Sequence, residues 1–147
     1  MFAIIKFVFN QKTIFSFQAK IIFIILLLFS CSKKYYENDL YGSWKGRYEN
    51  KEMVFTFNNN RSFKLSIKDL ITDSNEILGG IYKLDFTKKP MPLSLSNIKQ
   101  LYHPLHTIVE FLGTESIRLG NFAPHWRVRD ISFDQNKSII LKNNKLN

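Results

Sequence analysis

Few side chains in this chain could do chemistry. Cys31 is the single thiol among 147 residues. A cysteine acts as nucleophile only where a fixed, electropositive environment activates it. Here it follows nine apolar residues, Ile21–Phe29, and Ser30, and it precedes Ser32-Lys33-Lys34. That abrupt change from apolar to cationic supplies no scaffold for catalysis. His103-Pro104-Leu105-His106 sets two imidazoles three apart, which in a strand or turn puts them on opposite faces, and no cysteine stands nearby to complete a zinc set. With His125 they read as surface or rim side chains, so no metal and no other cofactor is expected. No Ser/His/Asp set, nucleophile elbow, phosphate-cradling glycine loop or paired-carboxylate spacing is present. Glu110 alternates against an apolar face and reads as solvated. No catalytic residue is assigned, and the chain is not expected to be an enzyme.

The densest mixture of aromatic and basic residues is Asn121-Phe122-Ala123-Pro124-His125-Trp126-Arg127-Val128-Arg129. Read as a strand, it points Trp126 and Val128 to one side and Arg127 and Arg129 to the other. Two readings follow. Arg127 and Arg129 are candidate contacts for an anion or carboxylate at a barrel mouth, or Trp126 is a core residue flanked by solvated arginines.

The segment before Cys31 has the order of a secretory leader: Lys20, the apolar run Ile21–Phe29, then the small Ser30. Spanning a bilayer takes about 18–20 apolar residues, and Lys12, Gln18 and Lys20 interrupt any longer run. Leu28-Phe29-Ser30-Cys31 resembles the lipobox of bacterial lipoproteins. The resemblance implies cleavage before Cys31, lipidation of its thiol and acylation of the new N-terminus. An ordinary thiol in an uncleaved anchor is the competing reading. On the lipobox reading residues 1–30 are a helical signal peptide, 31–39 are the lipidated cysteine and a polar tether, 40–142 are one folded domain, and 143–147 are a frayed tail. Ser32 after the cysteine resembles outer-membrane-destined lipoproteins, and Lys33-Lys34 departs from acidic surface-export signals, which favours a position facing the periplasm. The expected partner is then the membrane, held through the lipid, in the bacterial cell envelope.

Loss of Lys6, Lys12 and Lys20 with the leader takes the formal charge from +9 to +6. The remaining lysines and arginines are scattered, and no nucleic-acid motif organises them. No nucleic-acid partner is expected. With Cys31 carrying lipid, no disulfide can staple the 117-residue mature chain, which is long enough to fold on its core alone.

That core must come from strands. Gly42, Trp44, Gly46 and Tyr48 alternate with polar residues, as do Met53, Phe55 and Phe57, and then Phe63, Leu65 and Ile67 after Asn58-Asn59-Asn60. The Asn triplet reads as a hairpin loop able to take left-handed angles. Asp73–Glu76 reads as a loop and Gly79-Gly80 as a pivot into Tyr82, Leu84 and Phe86 on one strand face. Leu93 and Leu95 alternate briefly, Ser96–His103 suggests a helical turn, and Leu105–Phe111 and Ile117–Leu119 are further strands. A last hairpin is expected to join Trp126–Phe133 to Lys137–Leu141. Eight or nine short strands in hairpins point to an all-β protein, a small antiparallel up-and-down β-barrel of about eight strands.

Leu40-Tyr41-Gly42-Ser43-Trp44-Lys45-Gly46 resembles the Gly-x-Trp start of lipocalin-like domains. The stretch Gly79-Gly80-Ile81-Tyr82-Lys83-Leu84-Asp85 with Lys88-Lys89-Pro90-Met91-Pro92-Leu93 is similar to a group of bacterial lipocalin-like proteins. The resemblance implies that Trp44 closes one barrel end with a cation, Lys142 or Arg129, packed across it. The Thr-Asp-Tyr motif of true lipocalins is missing. The inner face then supplies candidate ligand-lining residues: Trp44, Phe55, Phe57, Tyr82, Phe86 and Phe111. The leading expectation is an envelope lipoprotein that binds a small apolar or amphiphilic ligand in its barrel. The alternative is a filled barrel that docks an envelope protein partner.

Overall fold

Alternation of apolar and polar side chains makes each strand two-faced, and burying every apolar face at once requires the sheet to curl on itself. The computed structural model describes residues 34–144, and its barrel unit starts at Tyr35. The described residues form a four-residue helix, α1 (Glu37–Leu40), and eight strands. These are β1 (Gly42–Tyr48), β2 (Lys51–Phe57), β3 (Ser62–Asp69), β4 (Asn75–Leu84), β5 (Met91–Ser96), β6 (Leu105–Phe111), β7 (Ser116–Leu119) and β8 (Ile139–Asn143). Each pairs antiparallel with the next, and β8 pairs with both β7 and β1, closing the barrel. The expected signal peptide and lipobox, with Cys31, lie outside the described residues, as do residues 145–147.

Register sets the inner layers. Trp44 lies opposite Phe55, Phe55 opposite Leu65, and Leu65 opposite Leu78, a continuous apolar row across four strands. Across the barrel Val109 faces Leu119 and Ile117 faces Leu141. Each such buried side chain contributes about 1.5–3 kcal/mol relative to exposure. β4 changes partners midway: residues 75–81 pair with β3 and 81–84 with β5. Gly80 sits at this exchange, where a Cβ would run into the carbonyl oxygen of Ser96. The Gly79-Gly80 pivot is thus correctly placed, but β4 passes through it unbroken. Its unpaired early edge is met by the β5–β6 connection, where Gln100 Nε2 donates to the Ile77 carbonyl at 3.0 Å.

The two barrel ends differ. At one end lie α1 and the short turns 58–61, 85–90 and 112–115; at the other lie the tight β1–β2 turn and the longer connections 70–74, 97–104 and 120–138. The first end is plugged. Leu40 is fully buried and its carbonyl accepts a hydrogen bond from Trp44 Nε1 at 2.8 Å. Tyr35 stacks on Phe111 with centroids 4.4 Å apart, and Arg61 bonds Glu37 at 3.2 Å across the mouth.

Several expectations are corrected. The fold begins at Tyr35 rather than Leu40, because Tyr35 gains a stacking partner and Asp39 caps α1 by accepting from the Tyr36 amide at 2.8 Å. Asn143 belongs to β8, opposite Trp44, and not to a frayed tail. In the β2–β3 turn the left-handed residue is Arg61, at φ 63°, and not one of the three asparagines. The 97–104 connection makes a single turn, Leu101 N to Ile98 O, without a helix. Trp126–Phe133 forms no strand. Pro124 lacks an amide hydrogen for a ladder, and His125 Nδ1 accepts from Arg127 N at 3.2 Å, which starts a short 3-10 turn at Trp126–Val128.

Candidate functional site

Five of the six candidate ligand-lining residues are in the barrel interior. Trp44 and Phe55 are 0% exposed, Phe57 and Tyr82 1%, and Phe111 7%. Side chains buried to this degree meet one another and their neighbours. Phe55 stacks on Phe57 at 5.8 Å, Phe57 meets Tyr82 edge-on at 5.1 Å, and Trp44 meets Phe111 edge-on at 6.4 Å, the arrangements favoured by aromatic quadrupoles. Phe86, only half-buried because the strand ends at Leu84 and leaves it in the following turn, packs against the margin of this core. The expected cation across Trp44 is not there. Lys142 is the outward-facing neighbour of buried Leu141, and Arg129 lies in the β7–β8 connection at the other end. Phe111 and the Leu40 carbonyl occupy the contacts of Trp44 instead.

Two aromatic partners escaped the sequence reading. Tyr35 falls in the stretch that reads as a tether, and Phe122, which stacks on Phe55 at 6.1 Å, in a stretch that reads as a strand entering the last hairpin. Tyr82 also donates its hydroxyl to the Asn58 carbonyl at 3.1 Å. Burial pushes its phenol up to about 12, with the Glu37 and Tyr41 charges adding to the rise and Arg61 opposing it.

The loop-rich end is different in character. Large apolar side chains are exposed on all three of its longer connections: Leu70 and Ile71, Leu101 and Tyr102, then Trp126, Val128 and Ile131. Trp126 is 58% exposed. It is therefore not the core tryptophan of one earlier reading, because the 3-10 turn rotates it away from the wall. His125 stacks beside it at 6.1 Å, and the Arg127 guanidinium lies 5.3 Å from its centroid.

The segment 120–123 adheres to the edge of β6. Gly120 N donates to the Ile108 carbonyl at 2.9 Å, and His106 and Ala123 exchange two backbone bonds of 2.8 Å. Thr107, buried, donates its hydroxyl to the Gly120 carbonyl at 2.9 Å. The connection then covers the outer wall, with Phe133 beneath Arg118 at 5.4 Å. These bonds fix the start of the connection that carries His125 and Arg129 against β6 at His106. On the outer face His106 pairs in register with Ser94, and Ser94 Oγ lies 2.9 Å from His106 Nδ1. Burial holds His106 below the usual imidazole range, and the positive charges of Arg129 and His125 lower it further. Arg127 and Arg129 form no ion pair among the described residues, whose pairs join other cations. Arg129 is half-buried, and its Nε is buried with no partner among the described residues. His103 is exposed on the β5–β6 connection, apart from this group. Among the described residues no three His, Cys, Asp or Glu side chains gather as a metal site, and no helix is long and apolar enough to cross a membrane.

The fold and the site define a closed eight-stranded antiparallel barrel of lipocalin-like kind, plugged at one end and loop-rich at the other. No family model, curated protein or solved structure matches the chain.

Proposed function

We propose that the chain is a lipid-anchored lipoprotein of the bacterial cell envelope, non-enzymatic, whose barrel serves to bind a small apolar or amphiphilic ligand at its loop-rich end. The observation that carries this reading is the asymmetry of the barrel. One end is sealed by Tyr35, Leu40, Trp44 and Phe111, while the other exposes apolar side chains on three connections. The aromatic interior is packed, so it acts as the rigid floor that positions the rim rather than as a deep cavity.

Lipid on Cys31 would anchor the chain in the membrane, with the barrel on the periplasmic side. Two or more acyl chains give the stable attachment that one does not.

The second reading is a filled barrel docking an envelope protein partner, and the fully packed aromatic core favours it. Native mass spectrometry of the mature, tag-free protein, purified gently from its own host, separates the two. An extra mass that leaves on denaturation supports the ligand carrier. A bare mass, with a stoichiometric protein recovered alongside, overturns it in favour of the partner. Anchoring has its own test. Cys31→Ala is expected to abolish acyl mass and membrane partition, and an unchanged mass and partition refutes lipidation.

A further inference from the structure

We propose that the outer wall of β5 and β6 beneath the β7–β8 connection carries an oxyanion site, formed by Arg129, His106, His125 and Ser94, which takes the phosphate or carboxylate group of an amphiphile whose apolar part lies on Trp126. The proposal rests on the binding role argued above and gives its ligand a charge and a place.

The geometry assembles the donors from separate parts of the chain. Ser94 and His106 are fixed opposite each other by strand register, 2.9 Å apart at Oγ and Nδ1. The paired backbone bonds between His106 and Ala123 then fix the start of the connection that carries His125 and Arg129. The imidazole of His125 is held in turn by accepting the Arg127 amide. A guanidinium is a planar fork matched to two oxygens of a phosphate or carboxylate, and its charge persists at any physiological pH.

The site also lacks what would otherwise neutralise it. Arg129 has no carboxylate partner among the described residues, and its buried Nε has no acceptor there. A buried donor left unpaired is costly, which is why native proteins keep few of them. The charged groups acting on His106 are the Arg129 guanidinium and the His125 imidazole, and both disfavour its protonation. An anion bound beside Arg129 would offset the charges that disfavour protonation of His106. Trp126, exposed beside them, offers an apolar face to whatever the anion is attached to.

The probe is inorganic phosphate titrated into the full chain in non-ionic detergent, with the histidine ring signals followed by NMR at several pH values. Saturable shifts of His106 and His125 are expected, with the His106 titration midpoint moving upward as phosphate is added, because binding and protonation are reciprocally linked. Arg129→Gln should weaken binding about tenfold or more, and Arg129→Lys should restore part of it, a pattern that simple loss of folding would not give. A parallel arm uses vesicles of phosphatidylglycerol against phosphatidylcholine. Saturation by phosphate alone identifies a soluble oxyanion. Binding only to the anionic vesicles, lost in Arg129→Gln, identifies a lipid headgroup. Unmoved histidine signals together with vesicle binding that is absent or indifferent to Arg129 overturn the site. That outcome is independent of the native-mass experiment, which reports any ligand wherever it binds.

Discussion

Two adjacent glycines in β4 allow one substitution to be tested with opposite expected signs. At Gly79 an added Cβ meets only the Phe63 carbonyl oxygen, at 3.6 Å, an ordinary contact. Gly79→Ala should therefore stabilise the barrel by about 0.4–1 kcal/mol, through the freedom it removes from the unfolded chain. At Gly80 the same methyl runs into the Ser96 carbonyl oxygen and lies 3.0 Å from Phe63 Cε1 and 3.2 Å from the Asn97 carbonyl carbon. Two of these atoms are backbone at the point where β4 leaves β3 for β5, so they cannot rotate aside. Relief requires the strands to part, and overpacking of this kind costs about 1–3 kcal/mol. For a domain slightly above 100 residues, 1 kcal/mol moves Tm by about 4 °C. Thermal unfolding followed by circular dichroism should place Gly79→Ala about 2–4 °C above the parent and Gly80→Ala about 4–12 °C below it. Equal melting temperatures, or a Gly80→Ala variant at least as stable as the parent, would refute the partner exchange at Gly80 as the tight point of barrel closure.

Tyr82 gives an alkaline signature. Its phenol is raised in the fold to about 12 from an ordinary 10.0, so its contribution is complete below pH 10 and lost as pH rises through 12, where the unfolded chain ionises first. Tyr82→Phe should cost about 1 kcal/mol near neutrality through the bond to Asn58, and flatten the loss of stability between pH 10 and 12; an unchanged alkaline profile by denaturant titration counts against it. The two tryptophans should separate in fluorescence. Acrylamide should quench Trp126 and leave Trp44 dark to it, so that Trp126→Phe removes nearly all accessible emission, whereas quenching that survives this change would contradict the burial of Trp44. Trp44→Phe deletes the donor to the Leu40 carbonyl and should destabilise by about 1–3 kcal/mol, measured by chemical unfolding.

The strands were legible because barrel strands have one wet face and one dry one, and a period of two survives any detail of packing. Trp44, Phe55 and Leu65 can be placed inside from parity alone, whereas Leu78 belongs to the first half of β4, whose opening residues Asn75 and Glu76 read as loop. The turns were less so. Arg61 takes the left-handed conformation although three asparagines precede it, because Asn58 and Asn60 are engaged in bonds to Ser62. Asn121–Phe133 misled for a related reason. Its alternation of apolar and basic residues fits a strand, but Pro124 and the His125 cap decide locally for a turn. Polar composition hid Tyr35 in a supposed tether, since stacking on Phe111 is a contact between residues 76 positions apart in sequence.

The candidate site was half visible for the same physical reason. Arg127 and Arg129 form a pair in the sequence, yet they enter different environments: Arg127 stays over the exposed Trp126, while Arg129 is half-buried with its Nε buried and unpartnered among the described residues. The sequence spacing of His103 and His106 suggested a relation between those two. The structure instead relates His106 to Ser94 through strand register and to His125 through the bridge at Ala123. Both relations depend on which residue of one strand lies opposite which residue of another, and that is set by the lengths of the β5–β6 and β7–β8 connections. A single-residue change in the 97–104 connection that slipped the register would turn Ser94 and His106 to opposite sides of the wall. The oxyanion site therefore stands or falls with the same pairings that close the barrel.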